Sequence, residues 1–473
     1  MNLDATLIAP ELYQLLVVLG LFVQTLAPAP KDHKPVAWIG AAALVGVLVS
    51  LVSLGGGATM FYGSYRVDGI SQFFKLAVSI GFFIAAVNAV RQPTLRPRHG
   101  PDYFLFLALS AWGLMLLASS VELITAFIAL EISSYSLFAI VPLRARSKGA
   151  AEAGIKYILF GAAATAVSLY GFSYILASQH TTYIAELATK SWSFAAEPLA
   201  ALGLVLFLAG FFYKLALFPF HFWCPDVYDG ASNETAAFVA TLPKLGAVVI
   251  LVRLAALLEP GLEITTALAA LGALSMTFGN LAALAQRDIK RILGYSSVAH
   301  AGYITLGLVT GTAEGLAAAA FYSLAYILMN LTCFWVVCRL ADDGRNLSLD
   351  DLNGLYKRAP GLALILLVAA FALVGLPPTA GFTGKLFLLS GAWAHGYNWL
   401  VIVAAVNTAI SIYYYLNMVR HAYTFEAEGR TSPAVGAGSV AFGGLLAAAV
   451  LLLGAMPAPV FDMALEAGRW LLP

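Results

Sequence analysis

The stretch FYKLALFPFHFWCPDVYDG, residues 212–230, decides how this chain is read. It continues an apolar run that begins near residue 197, and it carries one lysine, Lys214, ahead of Pro219 and Pro225. As a single helix, 197–228 would extend about 45–50 Å at 1.5 Å per residue, well beyond a hydrocarbon core of about 30 Å. Proline removes an N–H and clashes with the preceding turn, which frees carbonyls at that depth. Irregular backbone inside a membrane is tolerated only where it is buried in protein or lines a cavity. A second stretch has the same character: VGLPPTAGFTGKLF, residues 374–387, with Pro377, Pro378 and Lys385. Interrupted segments at corresponding places in two halves point to an inverted repeat with a transport site at its interface. A plain kink in each helix is the alternative reading.

Composition supplies the membrane. Of 473 residues 61% are apolar and only 11% charged, whereas soluble domains carry about 45–50% and about 25%. So little charge cannot coat a particle of this size, which excludes a cytosolic enzyme. Basic nucleic-acid binding is excluded too, because 26 Lys and Arg face 25 Asp and Glu. Cys224, Cys333 and Cys338 form no CxxC pair, so no disulfide framework, zinc site or iron–sulfur site is signalled, and the two on segment eleven read as packing residues. Nucleotide-binding glycine motifs are absent.

Fourteen apolar segments can be marked: 8–28, 37–56, 69–90, 101–120, 122–142, 151–178, 197–228, 234–258, 262–285, 289–311, 315–340, 359–394, 397–422 and 435–457. The leading MNLDATLIAPEL has two acids and no base, so the first segment reads as a retained helix rather than a signal peptide. The fold class is therefore an all-α polytopic membrane protein of about 14 transmembrane helices. It divides into 1–100 (helices one to three), 101–258 (helices four to eight), 259–424 (helices nine to thirteen) and 425–473. The two middle parts are the five-helix inverted repeats, with helices seven and twelve broken.

Lys and Arg collect in cytoplasmic loops. With fourteen helices, seventeen bases fall on one side and three, Arg66, Lys190 and Arg469, on the other. Both termini are thus expected on the non-cytoplasmic side. Six bases remain inside apolar segments: Lys75, Lys156, Lys214, Lys244, Arg253 and Lys385, joined by Glu131 in LITAFIALEISSYSLFAI.

A charge at mid-bilayer costs at least about 2.5–3.5 kcal/mol and usually faces a bundle interior or wet cavity. Glu131, Lys214, Lys244 and Lys385 lie deepest, and a proton-handling role is expected of them. Lys75 and Arg253 are near enough to helix ends to snorkel. Lys156 follows Glu152 by four residues, a spacing that suits an ion pair on one helix face. In LGYSSVAHAGY, Ser296, His300 and Tyr303 share a face, and histidine exchanges protons near neutral pH. His221, beside the first break, is similar. The connection 341–358 is amphipathic and charged enough to dock on a partner or lie at the membrane interface.

Four segments carry a family resemblance: FIALEISSYSLFAIVPL, KLALFPFHFWCPDVYDGASNETAAFVATLPKLGA, LAALAQRDIKRILGYSSVAHAGY and GLPPTAGFTGKLFLL. Together they resemble subunit N of respiratory complex I, the proton-pumping NADH:quinone oxidoreductase, whose mitochondrial counterpart is NADH dehydrogenase subunit 2. HFWCPDVYDG followed by LPKLG is similar to subunit N rather than to its sister antiporter-like subunits L and M.

The resemblance implies fourteen helices with broken helices seven and twelve. It places the helix-five carboxylate on Glu131, and the lysines of helices seven, eight and twelve on Lys214, Lys244 and Lys385. Lys156 and His300 match polar positions along the same axis. It implies no cofactor in this chain. NADH, FMN, iron–sulfur clusters and quinone belong to other subunits of the assembled complex. The implied partners are antiporter-like subunit M, the small subunits on the K, J and A side, and the lipid of a bacterial inner membrane.

Two rivals share these features: an Mrp-type cation/proton antiporter subunit, and the equivalent subunit of a related hydrogenase or F420H2 dehydrogenase complex. A rival of another class is a scaffold whose buried charges only specify packing. One departure stands out. The loop reads YDGASNET, where the family usually has a glutamate before the glycine and a proline near 232. Ser232 is expected to cap helix eight instead.

Overall fold

The computed structural model describes residues 5–469, apart from 29, 31, 33–35, 146, 256, 258–262, 428 and 430–431. Lys31, Lys34, Arg146 and Arg430, four of the bases counted as cytoplasmic, lie outside the described residues. Helices run in the order α1 (Ala9–Thr25), α2 (Ile39–Val52), α3 (Gly69–Ala89), α4 (Gly100–Ser119), α5 (Leu123–Ile140) and α6 (Lys148–Gln179). A broken α7 follows as α7a (Pro198–Leu215) and α7b (Trp223–Gly230). Next come α8 in two pieces (Asn233–Val239 and Leu242–Ala255), α9 (Glu263–Leu284), α10 (Ile289–Leu308) and α11 (Ala313–Leu340). Broken α12 is α12a (Pro360–Val374) and α12b (Ala380–Ala394), and α13 (Asn398–Thr424), α14 (Ala437–Ala455) and α15 (Ala458–Arg469) complete the chain.

Eleven described helices are long and apolar enough to cross a membrane alone. The three other transmembrane elements fall short for visible reasons. Helix α2 has 14 residues, and α12 is divided into two pieces of 15. Helix α10 carries Lys290, Arg291 and His300. A small hairpin, β1 (Ala58–Met60) against β2 (Tyr65–Val67), occupies the turn between α2 and α3, where the sequence reading carries helix two on to residue 56.

Helix starts follow local chemistry. Asp68 caps α3 in a reciprocal box with Ser71, and Glu122 accepts the Thr125 amide at the start of α5. Ser232 accepts the Thr235 amide and caps α8, as its sequence position suggested. In the middle of the bundle α8 is wholly buried and α11 nearly so, with α3 beside them.

The helix pairs that form the walls pack on glycine. A Cβ on Gly171 of α6 would stand 2.3 Å from the Phe207 amide nitrogen of α7a, and one on Gly302 of α10 would stand 2.5 Å from the Gly272 carbonyl of α9. Neither backbone can yield cheaply. Gly171→Val is therefore expected to force α6 off α7a and lower stability by about 1–3 kcal/mol or more, read as a lower thermal midpoint of the purified assembly in detergent.

The two breaks share one backbone design. Helix α7a ends with Ala216 in the left-handed region (φ 60°) and α12a with Gly375 there (φ 90°). At each end two amides turn back: Ala216 to Tyr213 and Leu217 to Phe212, and Gly375 to Ala372 and Leu376 to Phe371. This six-to-one, five-to-two closure satisfies terminal carbonyls and stops the helix. A cis bond follows each, at Phe218–Pro219 and Pro377–Pro378. Residues 214–219 and 373–378 thus correspond position for position although their side chains differ.

Candidate functional site

What the closures leave open is the carbonyl of the last helical residue, Leu215 in α7a and Val374 in α12a. A lysine takes each one. Lys244 Nζ donates to the Leu215 carbonyl at 2.7 Å, and Lys385 Nζ donates to the Val374 carbonyl at 2.8 Å. Both lysines are buried, at 3% and 4% exposure. The free end of a helix C-terminus carries partial negative charge, so a cation is stabilised there.

Helix α8 has its own interruption, which the sequence reading did not mark. Pro243 has no N–H for the Val239 carbonyl, and the Lys244 amide bonds to Thr241 rather than to Ala240. The freed Ala240 carbonyl accepts the Tyr326 hydroxyl of α11 at 3.1 Å. Lys244 therefore sits one residue past a break in its own helix and against the end of another.

Lys214 precedes Leu215 directly and is oriented differently. Its ammonium group has no hydrogen-bond partner among the described residues and lies 5.4–5.9 Å from the ring centres of Phe138, Tyr157 and Tyr213. It lines a small cavity together with Glu131, Ser134, Thr165 and Ser168, with about 10 Å³ of room for water centres, close to the minimum for one molecule. Thr165 of α6 donates to Glu131 Oε1 at 3.1 Å. Glu131 and Lys214 do not touch as an ion pair; they face one shared, water-sized space.

His300 occupies the middle of the bundle between α11 and α13. Its Nδ1 lies 2.6 Å from the Tyr322 hydroxyl and its Nε2 lies 3.1 Å from the Tyr415 hydroxyl. The charges of both Lys244 and Lys385 act on it. Towards Lys244, Ser297 bonds Tyr326 and stands 3.4 Å from the Tyr228 hydroxyl of α7b. Towards Lys385, Tyr303 places its ring centre 4.3 Å from the lysine Nζ and bonds Thr408 of α13 at 2.9 Å. Tyrosine hydroxyls and an imidazole thus lie between the two lysine-capped breaks, with no continuous hydrogen-bond chain among the described residues.

Other expected residues are placed elsewhere. Lys156 does pair with Glu152, at 2.7 Å, and also with Asp226 at 2.6 Å; Asp226 is held in turn by Arg291 at 3.0 Å. This half-exposed network ties α6, α7b and α10 together away from the buried lysines. His221 is enclosed by the rings of Phe218, Phe222 and Phe278, and its Nδ1 has no partner. Ser296 turns back to the Leu293 carbonyl.

Lys75 and Arg253 do not snorkel. Lys75 is 1% exposed and pairs with Glu11 at 2.5 Å, and Arg253 is 2% exposed and grips Asp68 through both terminal nitrogens. Each found a carboxylate deep enough to be reached without leaving the bundle. Tyr322, Tyr326 and Tyr415 escaped the sequence reading, which weighed charges and histidines; the i, i+4, i+8 run of Tyr322, Tyr326 and Asn330 was the available signal. No group of side chains that could hold a metal occurs among the described residues.

The comparisons with known proteins agree with this geometry. Residues 120–411 match the model of the transmembrane family NADH:quinone oxidoreductase/Mrp antiporter. NADH-quinone oxidoreductase subunit N 2 of Solidesulfovibrio magneticus is 63% identical, with 98% of each chain covered. The chain belongs to the NADH-quinone oxidoreductase subunit N family. Subunit N 2 of Opitutus terrae is 45% identical over 96% of this chain and 95% of its own. Among solved structures, respiratory complex I from Thermus thermophilus with bound aureothin contains a chain that superimposes with a TM-score of 0.80 at 34% identity, covering 97% of this chain and 98% of that one. The Mrp complex from a Dietzia species gives 0.87 at 19% identity, with 100% and 98% covered, which is a likeness of fold alone. The subunit N resemblance read from the four sequence segments is thereby established.

Proposed function

We propose that this chain is a proton-translocating membrane-arm subunit of an NADH:quinone oxidoreductase and holds no redox centre of its own. The observation that carries the reading is the pair of lysines, Lys244 and Lys385, each bonded to the terminal carbonyl of a broken helix, with His300 between them. Residues 101–258 and 259–424 act as two half-channels that meet at this axis. Protons are taken up from the cytoplasmic side, pass through Lys244, His300 and Lys385, and leave on the side of both termini. Lys156 and His221 stand off this axis, as an ionic tie and a caged imidazole. Quinone reduction in neighbouring subunits supplies the energy, and Glu131 receives it.

The physics of that last step is electrostatic. A carboxylate within reach of a buried lysine favours its charged form, and removing or screening the carboxylate favours proton release. Glu131 on α5 and Lys214 on α7a share a water-sized cavity, so motion of α5 changes the field at Lys214 without breaking a bond between the two. The partners on this reading are subunit M and the small subunits K, J and A, in a bacterial inner membrane.

In the assembled complex reconstituted in vesicles, Glu131→Gln is expected to lower NADH-driven proton pumping at least fivefold, while NADH oxidation by a detached electron acceptor is unchanged. Full pumping with intact assembly would favour the scaffold reading. Sodium/proton exchange by the purified chain alone would favour the Mrp-type antiporter.

A further inference from the structure

A buried carboxylate that the lysine axis does not use stands at the first turn of α8. Glu234 is 2% exposed, and its Oε2 has no hydrogen-bond partner. Three cations act on it, Arg144, Lys290 and Arg339, yet none forms an ion pair with it within 4 Å among the described residues. Those cations are engaged elsewhere. Arg144 reaches the carbonyls of Asp229, Gly230, Ala231 and Gly344, and Lys290 those of Asp229 and Ala231. Arg339 stacks on Trp335 at 4.0 Å and leaves its Nε without a partner.

A carboxylate placed for structure would be gripped by one of these bases, as Asp68 is by Arg253. Glu234 is instead set in a positive field with no ion pair among the described residues, its carboxylate held by the backbone amide of its own residue at the start of α8. Further buried polar atoms without a partner among the described residues are Asn88 Oδ1 and Gln92 Oε1, near the end of α3, and Asn233 Oδ1, beside Glu234 in sequence. Asn88 donates to Cys338, whose thiol feels Glu234, and Gln92 donates to Ser232, two residues before it. Native buried polar atoms are nearly always paired with protein or water, so these unmatched groups call for water near the start of α8.

A second orphan lies deeper on α11. Fully buried Asn330 makes no hydrogen bond of ordinary geometry among the described residues, and the group its side chain does act on is the Tyr326 hydroxyl that donates to the Ala240 carbonyl at the α8 break. From Cys338 to Asn330 is eight residues, about 12 Å of helix.

We propose that Glu234 is the proton-loading group of the cytoplasmic uptake route. Its carboxylate takes a proton relayed from the cytoplasm, and the carboxylic acid gives that proton, through water along the α8–α11 seam past Asn330 and Tyr326, to the neutral amine of Lys244. Each turn returns Glu234 to its carboxylate and leaves Lys244 as ammonium. The surrounding bases keep the carboxylate from collecting metal cations, and with Cys338 and Tyr103 they are the titratable groups that face it. Arg91, which acts on Arg339, completes the collar.

The inference rests on the proton-translocating reading above, and the test separates the two. Glu234→Gln, Glu234→Asp and Lys244→Met are each built into the assembled complex, and pumping per NADH oxidised is measured in vesicles from pH 6 to pH 9. Glu234→Gln is expected to lower coupled pumping at least threefold, while Glu234→Asp keeps more than half of it with a displaced pH profile. If Lys244→Met stops pumping and Glu234→Gln does not, the uptake route is wrong and the translocating reading stands. If neither variant affects pumping, both fail. Should Glu234→Gln not assemble, Glu234→Asp decides: a pH profile identical to the unaltered protein's overturns the proposal.

Discussion

Lys244→Met is expected to reduce coupled proton pumping more than tenfold while the complex still assembles. Lys244 joins the two breaks of the first half: it stands one residue past the α8 break and holds the end of α7a through Leu215. Methionine fills nearly the same volume with no charge, so the substitution removes a desolvated ammonium group without opening a cavity, and exchanging a buried charge for a well-packed apolar group is often neutral for stability. Proton transfer has no such substitute. Lys244→Arg supplies the control. Arginine keeps the positive charge and can reach a carbonyl, but in proteins it does not give up its proton. If Lys244 only neutralised the α7a terminus, arginine would restore pumping; a residue that must alternate between amine and ammonium is not rescued. Near-normal pumping in Lys244→Arg would remove Lys244 from the proton path.

The reason this residue could be singled out from sequence is the cost of burying charge. An ammonium group in an apolar run of twenty residues needs a purpose, and a proline-broken helix announces free carbonyls nearby. Glu131, Lys214, Lys244 and Lys385 were legible on those grounds, and so were the breaks at Pro219 and Pro377–Pro378. Their connection was not. Which carbonyl each lysine takes depends on the end geometry of another helix, and Ala216 gives no hint of a left-handed turn as Gly375 does.

The tyrosines between the lysines were passed over for a related reason. An aromatic hydroxyl costs little to bury when one partner is found, so Tyr322, Tyr326 and Tyr415 leave no mark in hydropathy or charge. Pro243 within LPKLG gives no sign of a third break in the sequence, because a helix that stays within membrane length leaves no excess for a break to explain. Lys75 and Arg253 show the opposite error. Position near a helix end suggested escape to the surface, but tertiary structure brought a carboxylate to each.

That last error gives the second large effect. Arg253 near the end of α8 donates to both oxygens of Asp68, at 2.9 and 3.0 Å, and to the Ala118 carbonyl at 2.8 Å, with about 2% of its surface exposed. Asp68→Asn keeps the shape and the cap on α3 but leaves a guanidinium buried without a counter-charge. Breaking one side of such a pair costs about 3–5 kcal/mol, and the thermal midpoint of the assembly should fall accordingly. Arg253→Met should cost less, because Asp68 retains Arg66 at 3.7 Å and the capping bond to the Ser71 amide at 2.8 Å. The double variant Asp68→Asn with Arg253→Met should recover most of the loss, giving a coupling of several kcal/mol in a double-mutant cycle.

The functional half of the same experiment is the more informative. Arg253 and Asp68 are as deeply buried as Lys244, yet each is held by the other through two hydrogen bonds, and the cavity of about 580 Å³ that Asp68 lines opens towards α15 rather than towards the lysine axis. If burial of charge alone marked the proton path, the double variant would stop pumping as Lys244→Met does. If the path is defined by charges left with a protonatable neighbour rather than a fixed partner, the double variant should pump at more than half the normal rate once it is stable enough to assemble. Loss of pumping in a stable double variant would place the α3–α8 clamp inside the conduction machinery and redraw the route proposed here.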